Sequence, residues 1–309
     1  MAVTSMSRNS IGFGQEKSNR VSGKDSNLEW CQITTTRTGS FSDTEGVWSY
    51  WVFKSSGTLT VGRSGRVDYV VVAGGGTGVG SNTQSNVGGG GAGGVIESAE
   101  FAQIDSGAYA VTIGAGGAAT TSVDTQGNDG SNSSIGSLAI AIGGGGGGIR
   151  LTAGSDGGCG GGAGDYFGAA APVNFPGQGT FAQGYAGGGG SNQGGAGGGA
   201  GGKGADGNLS ESLMVGGVGR ITTIISTTIA TAQSIGEVSG SDVYFGGGGA
   251  GGVSAAGGLG GGGDSPAIDL RGVDCLPNTG GGSGVADVNQ GSPYAGAGGS
   301  GVVIVRTKI

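Results

Sequence analysis

The chain has no histidine, which excludes a Ser-His-Asp triad and any histidine-ligated metal centre. Cysteine is scarce. Cys31, Cys159 and Cys275 are far apart, odd in number and free of any C-x-x-C pair, so neither a disulfide framework nor a zinc site is indicated, and buried thiols are expected. Only 5 prolines are present and no Gly-X-Y period is sustained, which excludes collagen. Charged residues make up 11% of the chain, and the 14 Lys and Arg residues form no cluster. The formal net charge is −7, so no phosphate-binding footprint exists and no nucleic-acid partner is expected. No apolar run is long enough to span a bilayer, so membrane insertion is not expected. The N-terminal stretch MAVTSMSRNSIGFG lacks the apolar core of a signal peptide, giving the expectation of synthesis in a cytoplasm without standard secretion.

What the chain has is glycine, 83 of its 309 residues. Glycine loses the most backbone entropy on folding and brings no side chain to a core, so such a chain either stays disordered or folds through its backbone. Hydrophobic residues at 35% and little charge argue for order. Residues 1–45 are polar and irregular and read as an arm or attachment segment. From 46 onward, WSYWVF (48–53), TLTV (58–61), VDYVVVA (67–73), Val95–Phe101, Tyr109–Ile113, Leu138–Ile142 and Val302–Val305 read as short strands. Dense glycine and the lack of a 3.6-residue period leave almost no α-helix. The ITTIISTTIATAQSI stretch (221–235) is β-branched and apolar, and is expected to form a buried or interface strand.

The glycine runs lack the regular Gly-Ala alternation of a silk sheet, and they are too extensive to be linkers. Extended polyglycine II helices remain, with three residues per turn, about 3.1 Å rise and no internal hydrogen bonds. Packed side by side without Cβ atoms, they can satisfy one another's N–H and C=O groups. The expected fold is therefore all-β and irregular: short strands clamping a packed array of polyglycine II helices over 46–309. The octapeptide GGGGAGGV recurs at 88–95 and 246–253, but the irregular spacing of the runs is no solenoid period.

Several motifs resemble chemical sites. VDYVVVAGGGTGVG misses the G-x-G-x-x-G spacing, and GGGAGGK (197–203) is followed by Gly204 where a P-loop needs Ser or Thr. GGKGADGNL (201–209) stands alone and has Asn208 where a calcium β-roll repeat needs an apolar residue. Asp124, Asn128 and Asp129 in DTQGNDGSN could offer oxygen ligands, yet they are equally ordinary turn residues, and the turn is the preferred reading. No carboxylate pair can be placed around a substrate, so no enzyme activity, cofactor or metal is expected. Two long stretches are candidate contact loops. Residues 165–186 carry Tyr166, Phe167, Phe175, Phe181 and Tyr185, which either bind a partner or cover the scaffold. Residues 264–294 carry Asp264, Asp269, Arg271, Asp274 and Tyr294, with Pro266, Pro277 and Pro293.

In order, YWVFKSSGTLTV, VDYVVVAGGGTG, GGGGAGGVI, AYAVTIGAGG, GSNSSIG, AIGGGGGG and the terminal GGSGVVIVR resemble the glycine-rich domain of many phage tail and receptor-binding proteins. The chain is also broadly similar to the glycine-rich adhesins at the tips of T-even-like long tail fibres. That resemblance implies a virion structural protein, a tail fibre or tail-associated adhesin that recognises a host surface receptor through loops. It implies other virion proteins as partners (fibre shaft, tail or capsid) and either a homotrimer or a cap on a trimeric fibre. A non-adhesive head fibre or decoration protein is the alternative, and an ice-binding protein a more distant one.

Overall fold

Strands form where the β-branched and aromatic residues are densest, and they assemble into a base. In the computed structural model, residues 29–43, 46–81, 86–98, 102–165, 175–207, 213–252, 254–266, 272–287 and 295–309 are described. One five-stranded sheet has the order Gly39–Asp43, Gly46–Phe53, Val302–Lys308, Asp68–Val72, Val95–Glu97, antiparallel throughout. The second has the order Gln32–Ile33, Gly57–Arg63, Gly107–Thr112, Ser133–Ile135, Ala139–Ala141, again antiparallel.

Side-chain alternation sets the layers. Trp51, Tyr69, Val71, Val303 and Val305 of the first sheet meet Leu59, Val61, Val111 and Ile135 of the second in one core. The opposite face of the first sheet, Tyr50, Val70, Val72, Val302 and Ile304, packs on Ile224, Ile225, Ile229, Val243 and Phe245. A sheet buried on both faces reads as continuous apolar sequence, and both VDYVVVA and VVIV do so. Arg306 pins the edge of this second core. Its Nε lies 2.9 Å from Asp68 Oδ2, its guanidinium 4.0 Å from the Trp48 ring centroid, and its Nη1 donates to the Ile224 carbonyl at 3.0 Å.

Residues 29–43 were expected within a polar arm, but they contribute two edge strands to these sheets. Their Ser- and Thr-rich composition hid short pairings whose partners lie in the apolar strands. A second correction concerns 221–235. Only Arg220–Thr222 is a strand there, pairing with Asp242–Phe245, and Thr227–Gln233 is an α-helix. Ser226 caps it, its side chain accepting from the Ile229 N–H, and Ser234 ends it in the left-handed region at φ 52°. Ile225, Ile229, Ala230 and Ile235 are buried, so the stretch does fill core space.

The strands run without interruption into the glycine array. Asp68–Val72 continues as 73–79, 86–94 leads into Val95–Glu97, Ala139–Ala141 continues as 142–148, and 295–301 leads into Val302–Lys308. Hydrogen bonds identify the array's geometry. Gly88, Gly91 and Gly94 donate to the carbonyls of Gly148, Gly145 and Ile142. Gly89 and Ala92 donate to Gly195 and Gly198, and Gly90 and Gly93 to Ser283 and Gly280. Each neighbour is thus addressed by every third residue, the signature of a helix with three residues per turn. The carbonyls of the same segment accept from 73–79, from 159–162 and from Gly249, so six segments surround it. Such packing requires bare backbone: a methyl group at Gly162 would overlap the carbonyl oxygen of Gly195. At the array's surface the threefold period shows in burial, with Gly114, Gly117 and Thr120 buried while Ala115, Ala118 and Thr121 are exposed.

Candidate functional site

The segments run up and down between two ends. Ala73 bonds to Gly94 beside the base sheet, and Val79 bonds to Gly88 six residues farther along, about 19 Å away at 3.1 Å per residue. At that far end Gly80–Ser81 pairs in parallel with Ala286–Asp287, and the Asp165 N–H donates to the Asn86 carbonyl. Gln193 donates to Gly207, Gly251 to Met214, Ser254 to Pro266, and the Ala295 N–H to Thr120 Oγ1.

These far-end residues border 82–85, 166–174, 208–212, 253, 267–271 and 288–294, six stretches that lie outside the described residues. Apart from the segment that begins at Phe175, the described segments adjoining them reach them toward the far end. The tip of the array, opposite the base sheets, is therefore the end toward which the described segments bordering these stretches run, and it is the candidate site. Tyr166, Phe167, Asp269, Arg271 and Tyr294 belong to these stretches, so they lie outside the described residues, next to Asp165, Pro266, Gly272 and Ala295.

The remaining candidates are not brought to the tip. Phe175 is 64% exposed and begins a segment that returns to the base: Gly177 donates to Gly161, and Gln178 accepts from Gly157. Phe181, 95% exposed, sits in a turn at the base end. There the Gln183 carbonyl accepts from Val95, Gln183 Oε1 accepts from Ile142, and the Ala182 carbonyl accepts from Arg220. Tyr185, 51% exposed, starts the next segment up, bonded to Gly199 and Gly160. Residues 175–186 are thus not one loop. An extended helix covers about 3 Å per residue, so this short stretch runs along the array to its base end, turns, and starts back.

Carboxylates and amides do a job that the sequence reading missed. Asp129 Oδ1 accepts from the Gly146 N–H at 2.8 Å and Asn132 Oδ1 from Gly143 at 2.8 Å. The turn expected over DTQGNDGSN is confined to its start at Asp124, and 125–132 runs as an extended lattice segment whose Gly127 and Gly130 donate to Gly147 and Gly144. Asp206 Oδ1 accepts from Gly189 at 2.8 Å and Asp264 Oδ1 from Gly257 at 2.8 Å. Asp274 Oδ1 accepts from Ala297 at 2.7 Å, and Glu237 Oε2 from both Gly260 and Gly261. Perimeter segments lack a neighbour on one side, and these side chains take the N–H groups such a neighbour would have bonded. A signal was available: acidic or Asn residues recur beside the glycine runs.

Other tip side chains are polar or isolated apolar ones. Arg150 Nε lies 3.5 Å from Asp165 Oδ1, Ser81 Oγ donates to Asp124 Oδ1 at 3.1 Å, and Leu151, Leu213 and Val273 are exposed. Among the described residues no group of three or more Cys, Asp and Glu side chains is arranged to hold a metal ion.

Compared with known proteins, residues 54–308 match the sequence model of a family described as a glycine-rich domain. No curated protein matches the chain.

Proposed function

The chain belongs to this glycine-rich domain family, and from that premise we propose that it is a bacteriophage virion protein, a tail fibre or tail-associated adhesin. Its work is recognition of a host surface receptor. The polyglycine II array is the stiff carrier, and the residues that leave the array at its tip make the contact. The observation that supports this reading is that described segments flanking all six stretches are tied into one hydrogen-bonded lattice and run toward its same end. A rigid scaffold holding variable loops at one end is the arrangement in which binding residues are usually found. Tyr166 and Phe167 offer aromatic area at low entropic cost, and Asp269, Arg271 and Tyr294 offer polar contacts. Other virion proteins, fibre shaft or tail, hold the base.

The test is adsorption. Purified protein should bind host cells and compete with infecting particles. Replacing 166–174 and 267–271 with glycine-serine stretches of equal length should abolish both effects while thermal stability stays near that of the native chain. Undiminished binding by the doubly replaced protein would remove 166–174 and 267–271 as the recognition site.

A further inference from the structure

Strand registers define the end of the base farthest from the array. Thr307 pairs with Ser49 and Arg63 with Gln32 there, while Val302 and Gly57 lie on the array side. At that far end the two sheets part around a cleft of about 550 Å³, an ordinary size for a binding cleft. Ile33 and Arg63 wall it on the side of the second sheet, and Ser49, Trp51 and Thr307 on the side of the first. Trp51 is buried and held in place, its Nε1 donating to the Thr35 carbonyl at 2.9 Å, so the apolar part of the wall is preformed.

The rim is basic. Arg37, Arg63 and Lys308 line the cleft against a single acidic side chain, Glu29, which is ion-paired with Arg63. Arg37 is exposed, donates Nη1 to Ser49 Oγ at 3.3 Å, and has no carboxylate partner among the described residues. A guanidinium anchored by one N–H keeps others for the two oxygens of a carboxylate. Behind the rim, Arg66 lies over the Trp30 ring at 4.7 Å and Arg306 over Trp48 at 4.0 Å. Cations thus collect at this end of a chain whose net charge is −7, while Asp129, Asp206 and Asp264 cap glycine segments elsewhere. The base attracts the charge that the rest of the molecule repels.

We propose that the cleft seats an extended acidic segment of the protein that holds the base. One carboxylate of that segment is forked on Arg37, and the apolar side chain next to it turns inward against Trp51 and Ile33. The inference rests on the reading that another protein grips this end, and it names the chemistry that protein presents. It is independent of what the tip contacts.

All three tryptophans of the chain, Trp30, Trp48 and Trp51, lie in or against this cleft, so their fluorescence reports on it. The probe is a capped ten-residue peptide of alternating glutamate and valine, titrated into the full chain. It should change the fluorescence saturably at about 1 mM or below. Arg37→Gln should weaken binding at least tenfold, and Arg150→Gln, at the opposite end, should leave it unchanged. Arg37→Lys, which keeps the charge but loses the fork, should fall between, and it gives the comparison should Arg37→Gln fail to fold. Capped glutamate alone should need at least a tenfold higher concentration than the peptide. No saturable change, undiminished binding by the Arg37 variants, or equal binding of a lysine–valine peptide overturns the proposal. So does a dimer of the chain alone, seen by sedimentation, that the Arg37 variants dissolve, since the cleft would then belong to a second copy. Host cells play no part, so loss of peptide binding and loss of adsorption are read separately.

Discussion

Asp129 and Gly146 are joined across the array, the carboxylate Oδ1 accepting the backbone N–H at 2.8 Å. Gly146 is buried, and its carbonyl is taken by Ser155. The side chain of an exposed residue therefore completes the hydrogen bonding of a buried glycine segment. A lattice held through its backbone must end somewhere, and at each edge N–H groups are left pointing where no further segment lies.

Removing that acceptor strands a buried N–H, which costs about 1–3 kcal/mol. Asp129→Ala should lower the unfolding free energy measured in urea by that amount, whereas Asp129→Asn, which keeps an oxygen in place, should lose less than half as much. Equal losses in the two variants would show that charge, not the hydrogen bond, is what matters there.

Interior glycines should be far less tolerant than edge ones. A Cβ at Gly162 would overlap backbone atoms of Gly195, and backbone cannot swing aside as a side chain can. Gly162→Ala is expected to destabilise by about 3 kcal/mol or more, or to prevent folding. At Gly57 an added Cβ meets only the Phe53 ring at 3.7 Å, ordinary contact, so Gly57→Ala should stay within about 1 kcal/mol of the native chain. Thermal melts of the two variants make the comparison. Similar melting temperatures would contradict close backbone packing as the origin of the composition.

The base was legible because its strands carry a side-chain pattern. TLTV and VVIV fall within strands of the structure and VDYVVVA contains the strand Asp68–Val72, and the clamp they form at the root of the array follows from their positions near both ends of the glycine region. Thr227–Gln233 was not legible. Its Thr and Ile residues favour strand locally, and packing of Ile229 and Ala230 on the base sheet, with Ser226 as cap, outweighs that preference. Which glycine segment neighbours which was invisible for a deeper reason. Gly88 bonds to Gly148 while Gly89 bonds to Gly195, and nothing in a run of identical residues distinguishes those partners. For the same reason the path of 175–186, along the array to its base end and back, looked like a loop.

Acid should weaken one identifiable cap. Burial pushes the Asp206 carboxyl up, but hydrogen bonds from Lys203 and Gly189 and the ammonium charge outweigh it, holding the group below its ordinary value of 3.8. A carboxyl depressed in the folded state contributes stability that is full above the unfolded value and is lost as pH falls through the folded one. The side chain is about half exposed, so screening keeps the effect small. Between pH 5 and pH 2 the native chain should lose more stability than Asp206→Asn, read as the difference in urea midpoints. Parallel acid limbs would show that the cap is not linked to proton uptake.

Cys159 offers a way to ask whether array and base unfold as one. Its thiol is fully buried in the array, Sγ 3.7 Å from the Gly93 carbonyl, and burial pushes its pKa up to about 12. Cys31 lies buried in the base core and is pushed to about 12 by the same cause. At pH 8 only about one thiol in ten thousand is then ionised in the folded protein, so alkylation has to wait for opening. Because the strands pass into glycine segments without a break, opening the array should pull on the sheet that contains Val72 and Val302. Iodoacetamide labelling of Cys159 and Cys31, followed by mass spectrometry across a urea series, should therefore rise at the same denaturant concentration. Labelling of Cys159 well before Cys31 would mean that the lattice melts from a base that stays folded, and that the six-neighbour packing is the weaker of the two parts.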